Sequence, residues 1–332
     1  MDAYTDFLVA SLMQVASAAL DARRPSRLAW TTGNVGFAAN RRMEAGGQLI
    51  RDEERHLMIT WNPAGPVDHA LPVLVVRDAE SGALRAVHFT YACHNVALTG
   101  STAIGGFTNS VHGDWLGLAM AELERRHPRT VVIGTAGCGG DQRPNFCGGV
   151  AVAAAHGRVV ADEFDRLWQS EGAWREISGP LTTSWRKTEL PLQPIQSTKD
   201  LLAFAGNQKP SALLLARAAA AQRRLKQRAG GRNEPSGVPF IAQAWRFAGG
   251  PQMIFLSGEV CIDYQLAIKR EHGAATWPIA YANATPCYIV SRRMLEKGGY
   301  EAGTSMYYYG WLRPLKPEAE SVVMRTVRGV LQ

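Results

Sequence analysis

The stretch Asp114–Asp141, DWLGLAMAELERRHPRTVVIGTAGCGGD, decides the fold class. Trp115, Leu118, Ala119 and Leu123 recur at helical spacing, so Asp114–Arg126 reads as a helix with one apolar face. Thr130–Thr135 is a short β-branched run and reads as a buried strand, which empties into the glycine-rich turn Gly137-Cys138-Gly139-Gly140-Asp141. A helix, a buried strand and a glycine turn in succession form the repeating unit of a layered α/β protein.

Working outward, the same texture recurs. Leu28–Phe37, His56–Trp61, Leu71–Arg77 and Leu84–Ala92 read as strands, which makes the first third strand-rich. Val150–Gln169 and Ser211–Arg228 read as helices and Leu181–Leu192 as a strand, and Gly230–Gly237 is the clearest loop. Strands at Val238–Phe247 and Gln252–Leu256, a helix over 260–271, a strand at Trp277–Ala282 and a closing helix over 318–331 complete the pattern. The expected fold is α/β, a layered mixed sheet with helices packed on it, forming one domain over residues 1–332.

Length and composition agree with that reading. The chain has 332 residues, is 46% hydrophobic and can bury a sizeable core. Its formal charge of +7 lies in short clusters such as Arg223–Arg228, Arg41-Arg42 and Arg292-Arg293. None is interleaved with aromatic residues, so these read as solvated faces, and no nucleic-acid partner is expected. The five cysteines form no Cys-x-x-Cys pair, which argues against a disulfide framework or zinc knuckle and for reduced, packed thiols. Residues 1–22 start acidic and lack a basic leader, so they read as an amphipathic helix and neither a signal peptide nor a membrane span.

One regularity bears on function. His94, the Gly137–Asn145 loop, Glu259 and the Tyr281–Tyr288 segment each fall just past the carboxyl end of a strand, the edge where open α/β sheets form their ligand crevice. An imidazole at such an edge suits Zn²⁺, although a hydrogen-bonded structural histidine fits the same place. Glu259 enters a helix, where a carboxylate is either a ligand or simply a favourable dipole partner. The Gly137–Asn145 loop lets backbone N–H groups approach a ligand but lacks the Gly-Lys-Ser/Thr ending of a phosphate loop. Tyr288 and Tyr300 are phenols able to coordinate a metal or donate to an oxyanion, or else ordinary packing.

Taken in order, these segments resemble the catalytic domain of the neutral/alkaline, non-lysosomal ceramidases. The family's Asn-Arg-Ser is matched by Asn40-Arg41-Arg42, its Ala-x-His by Ala92-Cys93-His94, and its Gly-Asp-x-x-Gly helix start by Gly113-Asp114-Trp115-Leu116-Gly117. Its Gly-Asp-x-Ser-Pro-Asn loop is matched by Gly140–Asn145, its Pro-Gly-Glu turn by Ser257-Gly258-Glu259, and its two tyrosine motifs by Tyr288-Ile289-Val290-Ser291 and Tyr300-Glu301-Ala302-Gly303.

The resemblance implies that His94, Glu259 and Tyr288 are Zn²⁺ ligands and that Tyr300 stabilises the oxygen of a scissile amide. It implies that Arg41 grips a carboxylate or carbonyl, with Arg42 as the alternative, and that Asp141 shapes its loop. Arg143 stands where the family has serine, so water activated by the metal replaces a serine-dependent step. The family's Thr-His-Thr-His-Ser-Gly-Pro segment, with its first zinc histidine, precedes the helix matched here by residues 1–22. It does not occur in this sequence, and His112 is the alternative histidine. The reading is therefore a zinc-dependent amidohydrolase acting on a small-molecule or lipid amide, in an amino-terminally truncated domain. The alternative is a non-catalytic remnant of the same fold. Compartment and oligomeric state stay open at this level.

Overall fold

The computed structural model describes residues 2–45, 48–49, 59–98, 111–170, 172–194, 196–206 and 211–332. The first half runs α1 (Asp2–Asp21), β1 (Ser26–Asn34), β2 (Ala38–Arg42), β3 (Glu44–Ala45), β4 (Gln48–Leu49), β5 (Ile59–Asn62), β6 (Ala70–Asp78), β7 (Leu84–Tyr91), α2 (Asp114–Arg126), β8 (Val131–Ala136), β9 (Gln142–Pro144) and α3 (Val150–Trp168). There follow β10 (Arg175–Ile177), β11 (Leu181–Pro191), α4 (Thr198–Ala205), α5 (Ala212–Ala229), β12 (Gly237–Phe247), β13 (Gln252–Leu256) and β14 (Glu259–Val260). The chain closes with α6 (Ile262–His272), β15 (Thr276–Ile279), β16 (Tyr288–Ile289), α7 (Arg292–Lys297), a 3-10 turn (Thr304–Tyr309) and α8 (Ala319–Leu331).

A five-stranded sheet has the order β10-β1-β6-β7-β8 and a four-stranded sheet the order β11-β12-β13-β15. Most neighbours are antiparallel, but β7 with β8 and β13 with β15 are parallel, so the α/β fold with mixed strand directions is as the sequence leads one to expect. On β6, Leu71, Val73 and Val75 are fully buried and share a core with Trp115, Ala119 and Leu123 of α2 and Val160 and Phe164 of α3. On β12, Val238, Phe240, Ala242 and Ala244 alternate inward against Tyr264 and Ile268 of α6 and Val323 and Val327 of α8. Each of the valine and leucine side chains among these contributes about 1.5–3 kcal/mol by leaving water.

The site is built where these two cores meet. Gly137 N–H donates to Tyr91 O at 2.9 Å, Ala280 N–H to Ala136 O at 2.9 Å, and Gly140 N–H to Val260 O at 2.9 Å. These bonds gather the carboxyl ends of the parallel strands into one seam. The small parallel pair β14 with β16 then sets Glu259 directly beside Tyr288.

The helix over residues 1–22 forms, and its apolar residues, among them Tyr4, Phe7, Leu12, Met13 and Val15, are exposed. By length and composition Ala3–Asp21 is long and apolar enough to cross a membrane, a test that a signal sequence near an amino terminus also passes. Two sequence expectations need correction. Arg41 and Arg42 are buried rather than solvated, because β2 runs inside the molecule with all five of its residues covered. The strand expected over Trp277–Ala282 ends at Ile279, and Tyr281 turns away with φ 59°. The strand placed at His56–Trp61 is described only from Ile59, its first three residues lying outside the described part.

Candidate metal centre

His94 leaves the end of β7 with both ring nitrogens engaged. Nδ1 lies 2.6 Å from Gly139 O and 3.1 Å from Gln142 O. Carbonyl oxygens only accept, so Nδ1 carries a proton, and Nε2 is the ring nitrogen directed into the site. The backbone is fixed as well: Trp115 Nε1 donates to His94 O at 2.8 Å, and the Asp114 carboxylate accepts from Ala97 N and Leu98 N at 3.0 Å each. The Gly-Asp-x-x-Gly helix start thus acts by holding the histidine loop. Beyond Leu98 the following loop lies outside the described residues.

Glu259 arrives from the other core. Its Oε2 lies 3.0 Å from His94 Nε2, and their side chains are 14% and 12% exposed, covered yet still reachable from solvent. Burial opposes ionisation of Glu259, but hydrogen bonds and charge from His94, with phenols around it, outweigh this and hold the carboxylate below its ordinary range. Tyr288 Oη lies 3.4 Å from His94 Nε2 and accepts from Arg41 Nη2 at 3.1 Å.

Arg41 is in turn held by Glu301, whose Oε1 accepts from Arg41 Nε at 2.9 Å while Oε2 accepts from Arg42 Nη1 at 2.6 Å. Burial works against the Arg41 charge, yet Glu301 and Tyr288 more than offset it and its pKa is raised. Of the two arginines it is Arg41 that reaches the site; Arg42 donates Nη2 to Gly298 O at 2.7 Å. Tyr300 stands beside them, its ring 5.8 Å from that of Tyr288 and 5.8 Å from the Arg41 guanidinium carbon. Among the described residues its hydroxyl has no hydrogen-bond partner, which leaves it available to a ligand.

The other candidates lie differently. Asp141 is fully buried, accepting from Asn40 Nδ2 and Ile262 N at 2.8 Å each, so it ties β2 to the start of α6. Arg143 donates to Cys147 Sγ at 2.8 Å, and among the described residues it makes no hydrogen bond to His94, Glu259 or Tyr288. His112 accepts from Asp114 N at 2.9 Å and marks the helix start. Cys93, Cys138, Cys261 and Cys287 are buried, and burial pushes their thiols up, in keeping with packing roles.

Two tyrosines in the site escape the sequence reading. Tyr281 Oη lies 3.1 Å from both His94 Nε2 and Glu259 Oε2, and Tyr309 donates to Glu259 Oε1. The only hint of Tyr281 was its place just past a strand end, and nothing singled out Tyr309 from its neighbours Tyr307 and Tyr308. Among the described residues no three His, Cys, Asp or Glu side chains converge, so a metal held here depends on phenols.

The arrangement has the spacing of a ligand set. A tetrahedral ion with bonds of about 2.0–2.1 Å separates its donors by roughly 3.3 Å, and the contacts around His94 Nε2 span 3.0–3.4 Å. The carbonyl bond at Nδ1 is the outer support that metal-binding histidines use. The residues present therefore fit a zinc ion.

Among solved structures, the chain is similar to neutral ceramidase from Pseudomonas aeruginosa at 16% identity and a TM-score of 0.57, over 91% of this chain and 51% of that one. The chain has the neutral ceramidase fold. A ceramidase complexed with C2 matches at 15% identity and a TM-score of 0.54, over 91% and 52% of the two chains. The chain thus spans about half the length of the ceramidases it matches. No family model matches the sequence, and no curated protein sequence does. Of the segments that carried the resemblance, those bearing Arg41, His94, Glu259, Tyr288 and Tyr300 come close to one another.

Proposed function

We propose that this chain is a zinc-dependent hydrolase of N-acyl amides, ceramidase-like in its reaction, releasing a carboxylate and an amine. The observation that carries the reading is the convergence of His94 Nε2, Glu259 Oε2 and Tyr288 Oη from two separate cores, with Nδ1 of His94 locked by a carbonyl. His94, Glu259 and Tyr288 would hold the ion. A zinc ion bound there supplies Lewis acidity, making water nucleophilic near neutral pH and polarising a carbonyl.

The protein's own residues do the rest. Tyr300, with its uncommitted hydroxyl, donates to the amide oxygen as negative charge develops on it. Arg41 keeps a permanent positive charge beside Tyr288 and Tyr300, suited to the carboxylate that hydrolysis leaves. Tyr309 and Glu301 hold Glu259 and Arg41 in place. Arg143, in the position of the family serine, is turned toward Cys147 and has no step assigned to it. The similarity to ceramidases supports a lipid amide as substrate.

The test is zinc content of the purified chain together with hydrolysis of a fluorogenic medium-chain N-acyl amide. About one zinc per chain and activity lost in His94→Ala and Glu259→Gln are expected. A wild-type chain without zinc uptake or amidase activity overturns the proposal in favour of a non-catalytic remnant.

A further inference from the structure

Among the described residues no second histidine approaches the candidate metal centre, but a further phenol does. Resting on the zinc reading above, we propose that Tyr281 is a direct zinc ligand, completing with His94, Glu259 and Tyr288 a four-donor site within this chain.

The first argument is a closed triangle. His94 Nε2 and Glu259 Oε2 are 3.0 Å apart, and Tyr281 Oη is 3.1 Å from each. Tyr288 Oη lies 3.4 Å from His94 Nε2 and also accepts from Arg41 Nη2. Of the two phenols Tyr281 is the nearer to His94 Nε2. Three mutual edges of similar length define a face of a tetrahedron, and a cation above that face reaches all three atoms at once.

The second argument is the chemistry of the three groups. With Nδ1 committed to Gly139 O, His94 turns Nε2 into the site, where an imidazole nitrogen, a carboxylate oxygen and a phenol oxygen crowd one another. A metal ion bound by all three would satisfy them together.

The third argument is backbone. Tyr281 has φ 59°, a left-handed value that bulky residues seldom adopt. Such strain persists only where the surroundings impose it and gathers at functional sites. Here Tyr281 N–H donates to Gly258 O at 3.0 Å and Ala282 N–H to Leu256 O at 3.1 Å, pinning the bend that ends β15 early. The bend brings the phenol back over β14, with its ring edge-on to His94 at 5.9 Å.

The experiment compares the full chain with Tyr281→Phe and His94→Ala. Zinc affinity is read by competition with a chelating dye, and phenol ionisation by the ultraviolet tyrosinate difference band that appears on adding zinc. Tyr281→Phe keeps the ring, and an unfolding midpoint near wild type checks that the fold persists. We expect zinc affinity at least tenfold weaker, a smaller tyrosinate band and less proton release on binding. If Tyr281→Phe matches wild type in affinity and spectrum while His94→Ala loses zinc, Tyr281 is no ligand and the zinc reading stands without it. Should the wild-type chain take up no zinc, both fall together.

Discussion

Among the described residues Glu301 pairs with both neighbouring guanidinium groups, those of Arg41 and Arg42, and all three side chains are buried. Removing one partner of a buried ion pair leaves uncompensated charge, so Glu301→Ala should cost about 3–5 kcal/mol, read from denaturant midpoints. Tyr300 makes the opposite kind of residue: among the described residues its hydroxyl has no hydrogen-bond partner. If it serves the amide oxygen, Tyr300→Phe should lower kcat by roughly 10²–10³-fold while zinc content and unfolding midpoint stay near wild type. His88 reports on acid. Burial pushes its imidazole down to about 4 from an ordinary 6.5, so between those values the unfolded chain takes up a proton that the folded one refuses. Stability is then complete above pH 6.5 and falls as the pH drops toward 4, by up to about 3 kcal/mol. His88→Gln should flatten that slope in denaturant titrations at pH 4.5 and 7.

At the level of elements, the site depends on how closely the Gly140 and Gly258 turns pack. A Cβ on Gly140 would lie 2.7 Å from Glu259 O, and one on Gly258 would lie 2.8 Å from Cys287 O at φ 88°. Gly140→Ala should therefore displace β14, costing about 1–3 kcal/mol and weakening zinc uptake measured by dye competition. Much of this architecture was legible in the sequence. The helix at Asp114–Arg126 and the strand at Gln252–Leu256 are found at those limits, because their apolar spacing alone defines them. The helix α4 was missed although Ser197 and Asp200 spell its capping box, since eight residues leave little periodicity to read. The strand β2 was hidden for a different reason: Asn40-Arg41-Arg42 looks solvated until Asp141 and Glu301, about 100 and 260 residues away, supply its partners. Tyr281 was assigned to a strand because its left-handed bend is imposed by Gly258 and Leu256 backbone, which one-dimensional patterning does not carry.

Across the whole molecule, α1 stands apart from both cores. Since its apolar side chains bury nothing, deleting residues 2–21 should shift the denaturant midpoint by less than about 1 kcal/mol. A larger loss would show that it seats on the body in solution. The two cores themselves meet along a seam of backbone hydrogen bonds, and the candidate centre draws His94 from one and Glu259, Tyr288 and Tyr309 from the other. That division has a temporal meaning. On the ribosome, His94 emerges some two hundred residues ahead of Tyr309, a lag of roughly 10–40 s at ordinary synthesis rates. During that interval the amino-terminal sheet can form but its imidazole has no counterpart, so a nascent chain arrested before Glu259 would hold metal poorly however well it had folded. Zinc capture would then mark the end of assembly, reporting in a living cell on the docking of one half of the molecule against the other.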